Sequence, residues 1–356
     1  MSSLFEPLRV RGLELANRVW VSPMCQYSAR DGVVGDWHRV HLGAFATGGV
    51  GLIIAEATAV AADGRISVAC PGIWNDEQVR AWSTVTTFAH AHSTPIGLQL
   101  AHAGRKSTTM RPWDDHTIAS ADEGGWTPVA PSAVAFEGYP VPHALTIEEI
   151  DQIVASFASA AERALEAGFD VLEIHAAHGY LLHQFMSPLS NVRDDQYGGT
   201  FENRVRLCVR VTDAVRAVMP DTMPLFVRIS ATDYTEGGWD LDQSILLARV
   251  LKECGVDVID VSSGGNVHGV HIPVGPGYQV DFAAAVRQGA DIATAAVGLI
   301  TEPEQADAIV AEGRADAVLL ARAFLRNPRW ALNAAERLGV VIPWPIQLDR
   351  ARTLRP

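Results

Sequence analysis

The segment GFDVLEIHAAHGYLLH (residues 168–183) indicates the class of fold. Its first half contains the apolar residues Val171 and Ile174 in a short run typical of a strand buried in a parallel sheet. The run ends in His175 and His178. A buried strand that ends in histidines indicates a site at its carboxyl end. Three roles are open for the pair: metal ligands, buried core histidines, or hydrogen-bond donors to a ligand.

Seven further apolar runs are spaced along the chain and alternate with amphipathic segments of helical periodicity. Together, the eight predicted strands are residues 19–24, 51–60, 95–104, 171–178, 225–233, 258–265, 293–300 and 317–324. Two helix starts carry the capping-box pattern, with Thr146 followed by Glu149 and Thr301 followed by Glu304. Eight alternating strand and helix units predict an α/β fold, a closed parallel (β/α)8 TIM barrel.

Composition narrows the class of protein. The chain has 356 residues, 48% hydrophobic and 19% charged, with a formal net charge of −13 and an isoelectric point near 5.3. Such an acidic chain lacks the basic patches that nucleic acids and anionic membranes require, so the expected partner is a small molecule. The sequence has no secretory signal pattern and no run of eighteen uncharged apolar residues, so we expect a cytoplasmic protein. No Pro- or Ser-rich linker divides it, which predicts a single domain over residues 1–356.

One predicted connection is unusually long. Residues 105–145, between the third strand and its helix, are rich in Pro, Gly, Asp and Trp. Ordered loops of this length in a compact domain are often lids. The aromatic residues Trp113, Trp126 and Tyr139 favour a folded lid over a flexible one. Residues 340–356 are interpreted as a C-terminal tail.

Polar residues or glycine follow nearly every predicted strand, at the end where a parallel barrel carries its chemistry. They are Cys25, Glu56, Gln99 with His102, His175 with His178, Arg228, Ser262 with Ser263, Gly298 and Arg322. We infer one convergent site. The SPMCQYS segment after the first strand lacks the H-x-H pair common in metal-dependent hydrolase barrels, so no metal is predicted. Gly298 and Arg322 follow strands seven and eight, where barrels commonly bind phosphate, and they predict a phosphorylated ligand.

Five motifs, spread in order along nearly the whole chain, carry a family resemblance. They are SPMCQYS, GLQLAHAGRK, HAAHGYLLHQFMSPLSNVRDDQYGG, PLFVRIS, and VGLIT followed by GRADAVLLARAFLRNP. On these motifs the chain resembles the Old Yellow Enzyme family of FMN-dependent ene reductases, within its bacterial branch similar to YqjM and xenobiotic reductase A. The resemblance implies a bound FMN and NADPH as reductant. It also implies an α,β-unsaturated carbonyl or nitro compound as substrate, and a homodimer or homotetramer.

The resemblance places the FMN across the barrel mouth. The residues implied to bind it are Gly298, Ala321 and Arg322 for the phosphate, Gln99 and Arg228 for the pyrimidine edge, and Ser22, Pro23, Met24, Cys25 and Ala57 for the other edge. An arginine at the pyrimidine edge stabilises the negative charge that reduction places there. Relatives commonly have glycine where this chain has Ala321, which places a methyl group near the expected phosphate.

The resemblance also implies a catalytic set on the substrate side. His175 and His178 would hold the carbonyl oxygen of an unsaturated substrate while hydride passes from the flavin to its Cβ atom. Tyr180 would deliver the proton to Cα. Cys25 and Tyr27 would lie beside the flavin and contact the ligand.

The C-terminal tail of this branch places an arginine in the site of the neighbouring subunit, and Arg350 is the candidate in this chain. Leu348 stands where an aromatic residue is expected. Two alternatives to an ene reductase stay open: another FMN barrel such as a hydroxy-acid oxidase, and a flavin-binding barrel without catalytic activity. No role is predicted for the other H-x-x-H pairs, His38/His41 and His268/His271.

Overall fold

A computed structural model describes residues 2–353 and contains a closed barrel of eight parallel strands. The barrel strands are β1 Val19–Val21, β2 Leu52–Ala59, β3 Ile96–Ala101, β4 Val171–Ala176, β5 Leu225–Ser230, β6 Val258–Ser262, β7 Ala293–Ala296 and β8 Ala317–Leu320. Each strand pairs with the next, and β8 closes the barrel against β1 with Val318 opposite Val19. Each of the eight predicted runs contains one of these strands, which confirms the predicted barrel.

Helices connect the strands and cover the outside of the barrel. They are α1 Asp36–Ala46, α2 Asp76–Ala91, α3 Ile147–Glu166, α4 Leu181–Met186, α5 Phe201–Val218, α6 Leu241–Glu253, α7 Val280–Ala290, α8 Pro303–Ala311, α9 Arg322–Arg326 and α10 Trp330–Arg337. Thr146 caps α3 in a capping box with Glu149, as predicted. The box predicted at Thr301 is wrong: α8 begins at Pro303, because proline lacks the N–H that a first helical residue leaves unpaired.

The interior of the barrel is filled from its amino end. A short antiparallel hairpin, Leu8–Val10 with Leu13–Leu15, packs against interior strand residues. Among these, Trp20 and Phe226 stack with ring centroids 5.5 Å apart. Apolar packing therefore closes the amino end and leaves the carboxyl end for polar side chains. Within residues 2–353, no helix is both long and apolar enough to cross a membrane.

The long segment between β3 and α3 is folded. It contains the short parallel strands Val129–Ala130 and His143–Ala144. The Trp126 ring lies under the guanidinium of Arg65 at 4.8 Å, and its indole N–H donates to Ser107 Oγ at 3.1 Å. The contact with Arg65 holds the segment against the loop after β2, and the bond to Ser107 is internal to the segment. Its action as a lid stays a prediction.

Candidate active site

A cavity of about 200 Å³ opens at the carboxyl ends of the later strands. Four predicted cofactor-binding residues line it together: Arg228, Gly298, Ala321 and Arg322. Sequence reasoning missed other residues of its wall, including Tyr278, Gln279, Thr301 and Arg326. Tyr278, Gln279 and Thr301 lie in connections between strands and helices, where no periodic pattern marks a side chain as facing a site, and Arg326 ends the short helix α9.

The geometry of this cavity suits an anionic group. Gly298 has φ +113°, and a Cβ atom there would lie 2.7 Å from Oε1 of Gln279, so the position requires glycine. Among residues 2–353, the guanidinium groups of Arg322 and Arg326 have neither a hydrogen bond nor an ion pair. Two cations without a partner beside a glycine turn are the chemistry expected of a phosphate site.

Gln99 of β3 is connected to Arg228, which lines this cavity, through Glu173 of β4. Gln99 is buried, and its amide Nε2 donates to Oε1 of Glu173 at 2.7 Å. Its amide oxygen accepts no hydrogen bond from the described residues. Arg228 Nε lies 2.9 Å from Oδ2 of Asp260, in an ion pair that lacks the alignment of a hydrogen bond. Both residues therefore retain polar groups that a bound ligand could use.

Residues after β1 and β2 form the apolar side of the mouth. Cys25, Tyr27 and Tyr180 pack against a buried cluster that includes Ala57 and Cys70. A hydrogen bond with the Cys70 thiol, reinforced by burial, raises the pKa of Cys25 well above its usual value. Cys25 is therefore a neutral thiol in this environment. Ser22, Pro23 and Met24 lead from β1 to this cluster, and Ser22 N donates to Leu320 O at 3.0 Å.

His175, His178 and Tyr180 meet at the end of β4. The His175 ring packs edge to face on His178 at 5.1 Å between centroids and on Tyr180 at 5.0 Å. Burial, followed by the positive charge of Arg228, lowers the pKa of both histidines well below the usual value. Burial raises the pKa of Tyr180 well above its usual value. At neutral pH the group therefore consists of two uncharged imidazoles and an uncharged phenol.

Hydrogen bonds constrain where the imidazole protons lie. Nδ1 of His175 accepts from the Ala177 N–H at 3.3 Å, so the proton of this neutral ring is on Nε2. Nε2 of His178 lies 2.7 Å from Ser262 Oγ, which also accepts from Gln279 Nε2 at 2.9 Å. When the Ser262 hydroxyl donates to this nitrogen, the His178 proton is on Nδ1 and is available to a ligand.

The turn that carries these rings has little freedom. His178 has φ +59° and Gly179 φ +72°, and a Cβ on Gly179 would lie 2.3 Å from the carbonyl oxygen of Gly265. The Gly179 N–H donates to Nδ1 of His183 at 3.0 Å, and Nε2 of His183 lies 3.0 Å from Oδ1 of the buried Asp233. His183 thus supports the turn that the site residues occupy.

Lys106 is a further residue of the site that sequence reasoning did not single out. Its ammonium group donates to the carbonyl oxygens of His178 at 2.9 Å and Gly265 at 2.7 Å. It also lies 5.3 Å from the centre of the Tyr180 ring. Burial, followed by the charge of Arg105, lowers the pKa of Lys106 to about 8. Lys106 joins the loops that follow β4 and β6.

The structure does not bring Arg350 to the site of its own chain. Arg350 is exposed on the short 3-10 helix Ile346–Ala351 and has no hydrogen bond or ion pair with residues 2–353. The last residues of the predicted tail, 354–356, lie outside the described residues.

One histidine from each of the two H-x-x-H pairs without a predicted role lies close to a glutamate carboxylate. His38 Nε2 lies 3.4 Å from Oε1 of Glu56, and the exposed His268 pairs with Glu137 at 2.9 Å. Among residues 2–353, no three His, Cys, Asp or Glu side chains are grouped as a metal site would require.

The barrel and the cavity at the carboxyl ends of its later strands define a class of protein. This class consists of parallel-barrel enzymes that bind a phosphorylated cofactor at the ends of the last strands. A model of the NADH:flavin oxidoreductase / NADH oxidase family matches residues 3–339. An NADPH dehydrogenase of Geobacillus sp. (strain WCH70) is 49% identical, covering 98% of this chain and 98% of that protein. Morphinone reductase in complex with tetrahydroNAD is similar in structure, with a TM-score of 0.79 and 32% identity over 97% of this chain and 93% of that chain.

A third relative, the old yellow enzyme homologue from Zymomonas mobilis, has a TM-score of 0.78 and 29% identity, covering 97% of this chain and 95% of that chain. The chain belongs to the NADH:flavin oxidoreductase / NADH oxidase family, in the bacterial branch of the Old Yellow Enzymes. It is therefore an FMN-dependent oxidoreductase that uses a nicotinamide nucleotide, as predicted. The unpaired guanidinium groups of Arg322 and Arg326 and the glycine turn at Gly298 fit an FMN phosphate.

Proposed function

We propose that the protein is an NADPH-dependent ene reductase, which reduces the activated C=C bond of α,β-unsaturated carbonyl compounds and of nitro compounds. The single observation that carries the proposal is the group His175, His178 and Tyr180, in which two neutral imidazoles and a neutral phenol converge beside the barrel mouth. Uncharged N–H and O–H donors in a buried site suit a substrate whose oxygen gains negative charge during the reaction.

The histidines act on the oxygen of the substrate. His175 Nε2–H and His178 Nδ1–H would donate to the carbonyl oxygen and withdraw electrons from the alkene. The bonds shorten and strengthen as that oxygen becomes an enolate, so they stabilise the transition state more than the ground state. Because both rings are neutral, neither brings a charge that the dry site would have to neutralise.

Tyr180 supplies the proton for Cα. Its raised pKa keeps the phenol protonated at neutral pH, so the proton is available when the electron-rich Cα atom forms. The edge-to-face contact with His175 fixes the ring beside the oxygen-binding donors. Cys25 and Tyr27 would contact the same ligand from the apolar side, where they pack with Tyr180.

The remaining predicted residues would hold the FMN. Arg322 and the backbone of Gly298 and Ala321 would bind its phosphate, and Gln99 and Arg228 its pyrimidine edge. The segment Ser22–Cys25 and Ala57 would line its other edge. When bound and reduced by NADPH, the FMN supplies the hydride. In the assembled homo-oligomer, Arg350 of a neighbouring subunit would complete the substrate side.

Two half-reactions test the proposal. FMN-loaded enzyme is reduced anaerobically with NADPH and then mixed with 2-cyclohexenone, and the return of the oxidised-flavin absorbance is followed. We expect rapid return with 2-cyclohexenone and none with the saturated ketone cyclohexanone. Flavin reduction by a 2-hydroxy acid without NADPH would instead favour a hydroxy-acid oxidase. Reduced flavin that no enone or nitroalkene reoxidises would favour a barrel that only binds flavin.

A further inference from the structure

Two acidic residues lie inside the barrel, on strands that are otherwise almost entirely apolar. Glu173 on β4 and Asp260 on β6 are both completely buried. Between them lies Arg228 of β5, which is 6% exposed. Gln99 of β3 completes the group, which we call the acid quartet. Two of its members, Gln99 and Arg228, are the residues proposed to hold the pyrimidine edge of the flavin.

The quartet contains two carboxyl groups and one guanidinium. The carboxylate of Asp260 forms an ion pair with the guanidinium of Arg228, since its Oδ2 atom lies 2.9 Å from Arg228 Nε. Glu173 receives one hydrogen bond, from the amide of Gln99, and its Oε2 atom has no partner among the described residues. A second negative charge in this dry interior would have no cation of its own and would face the charge of Asp260.

Within residues 2–353, the cation that acts on Glu173 is Arg228, which is already paired with Asp260. Gln99 of β3, Arg228 of β5 and Asp260 of β6 face it, and His175 on its own strand is neutral. Burial, followed by the charge of Asp260, raises the pKa of Glu173 to about 8. Burial raises the pKa of Asp260 only to about 6, because Arg228 offsets part of the effect.

We propose that Glu173 holds a proton at neutral pH and that this acid, coupled through Gln99 and Arg228, makes the reduction potential of the flavin depend on its protonation. Glu173 is a positioning residue, since it acts through the Gln99 amide. The inference rests on the proposed placement of Gln99 and Arg228 at the pyrimidine edge. With Glu173 neutral, the quartet carries no net charge.

The consequence for reduction follows from charge. Reduction places negative charge at the edge beside Gln99 and Arg228. That charge makes ionisation of Glu173 less favourable, so its proton is held more tightly when the flavin is reduced. Above pH 8, where Glu173 is ionised beside oxidised flavin, two-electron reduction is therefore accompanied by uptake of one further proton from solvent onto the Glu173 carboxylate.

The proton itself is tested by infrared spectroscopy, which needs no substrate. We expect the C=O stretching band of a buried carboxylic acid in the parent protein at pH 7, with and without FMN, and its loss above pH 9. Glu173→Gln should lack this band at pH 7. Glu162→Gln, an exposed glutamate on α3, is the matched control and should keep it. A parent protein without the band, or a band that persists in Glu173→Gln, would overturn the proposal.

The coupling is tested by measuring the flavin midpoint potential from pH 6 to pH 10. In the parent and in Glu162→Gln, the pH dependence should steepen above pH 8 by one proton per two electrons, and in Glu173→Gln it should not. Steepening in Glu173→Gln as well would refute the role of Glu173. Neither measurement uses an alkene, so neither result depends on whether the protein reduces alkenes. A failure of the Glu173 proposal can therefore be distinguished from a failure of the ene reductase proposal. If Glu173→Gln does not fold, loss of the infrared band with pH in the parent still decides the protonation state.

Discussion

The rings of Tyr180 and His175 pack edge to face, with centroids 5.0 Å apart and planes at 85°. Replacing Tyr180 with Phe keeps this contact and removes only the phenolic proton. We expect flavin reduction by NADPH to be nearly unchanged, since that step needs no phenolic proton, and reoxidation by 2-cyclohexenone to slow roughly 10²–10⁴-fold. Stopped-flow absorbance separates the two steps. The control is Tyr197→Phe, because the Tyr197 phenol accepts from Arg210 of α5, and equal slowing of both steps in Tyr180→Phe would contradict the role of Tyr180.

Removing the oxygen donors should have a different effect. The double variant His175→Ala/His178→Ala loses both N–H groups, so we expect weaker enone binding as well as slower reoxidation. Phenols present an oxyanion to the same donors, and their charge-transfer absorbance with the flavin should disappear in this variant and persist in Tyr180→Phe. A double variant that bound phenols with parental affinity would return both histidines to a packing role.

Arg322 is expected to contribute to cofactor retention and not to chemistry. Its guanidinium lines the cavity without a hydrogen bond or ion pair to residues 2–353, and a charge-assisted hydrogen bond contributes about 1.5–3 kcal/mol. Arg322→Ala should therefore bind FMN about 10- to 100-fold more weakly, while the FMN-saturated variant transfers hydride near the parental rate. Fluorescence titration of the apoprotein with FMN measures the loss. The control is Arg314→Ala, which removes a surface ion pair with Asp281. Normal FMN affinity in Arg322→Ala would exclude Arg322 from the cofactor site.

The barrel could be predicted because its strands are short, continuous and apolar, and because each is followed by a helix with a recognisable period. The strand ends then gave His175, His178, Arg228 and Arg322 as candidate site residues, since polar side chains stop these runs abruptly. The prediction that failed concerns one helix start. The capping pattern at Thr301 could not be distinguished in the sequence from a helix that begins at a proline, as α8 does at Pro303. Helix starts depend on which residue adopts the extended cap conformation, and two adjacent candidates compete.

Other site residues carried no comparable pattern. Lys106 and Gln279 lie in long connections, and their roles depend on loops from different strands meeting in space. Glu173 and Asp260 were visible as single acids within the runs VLEIH and VIDVS. Their significance appears only when the barrel register places them on either side of Arg228, on the neighbouring strands β4 and β6.

Variants of Arg350 test whether one chain completes its own substrate site. Arg350 is exposed and has no hydrogen bond or ion pair with residues 2–353, and its reach into a neighbouring subunit stays a prediction. Arg350→Ala, and deletion of residues 350–356, should raise the enone KM and weaken phenol binding while FMN stays bound. The control is Arg352→Ala, because that guanidinium bonds the Ile342 carbonyl of its own chain. Parental kinetics in a stable Arg350→Ala variant would mean that the site is completed within one chain.

The raised pKa of Glu173 also predicts how stability depends on pH. In the unfolded chain this carboxyl ionises near pH 4.5, whereas burial in the folded barrel raises its pKa to about 8. Between these values the folded state holds a proton that the unfolded state has lost, so Glu173 makes the free energy of unfolding fall as pH rises. The slope is at most about 1.4 kcal/mol per pH unit, and the contribution of Glu173 becomes constant above pH 8.

Glu173→Gln keeps the shape and the contact with Gln99 but cannot ionise. Its free energy of unfolding should therefore exceed that of the parent increasingly from pH 5 to pH 8, and the difference should be smallest near pH 5. Urea unfolding at fixed FMN concentration, compared at each pH with Glu162→Gln, measures the difference directly. A difference between Glu173→Gln and the parent that does not vary with pH would show that Glu173 is ionised in the folded barrel, or that its pKa is close to that of the unfolded chain.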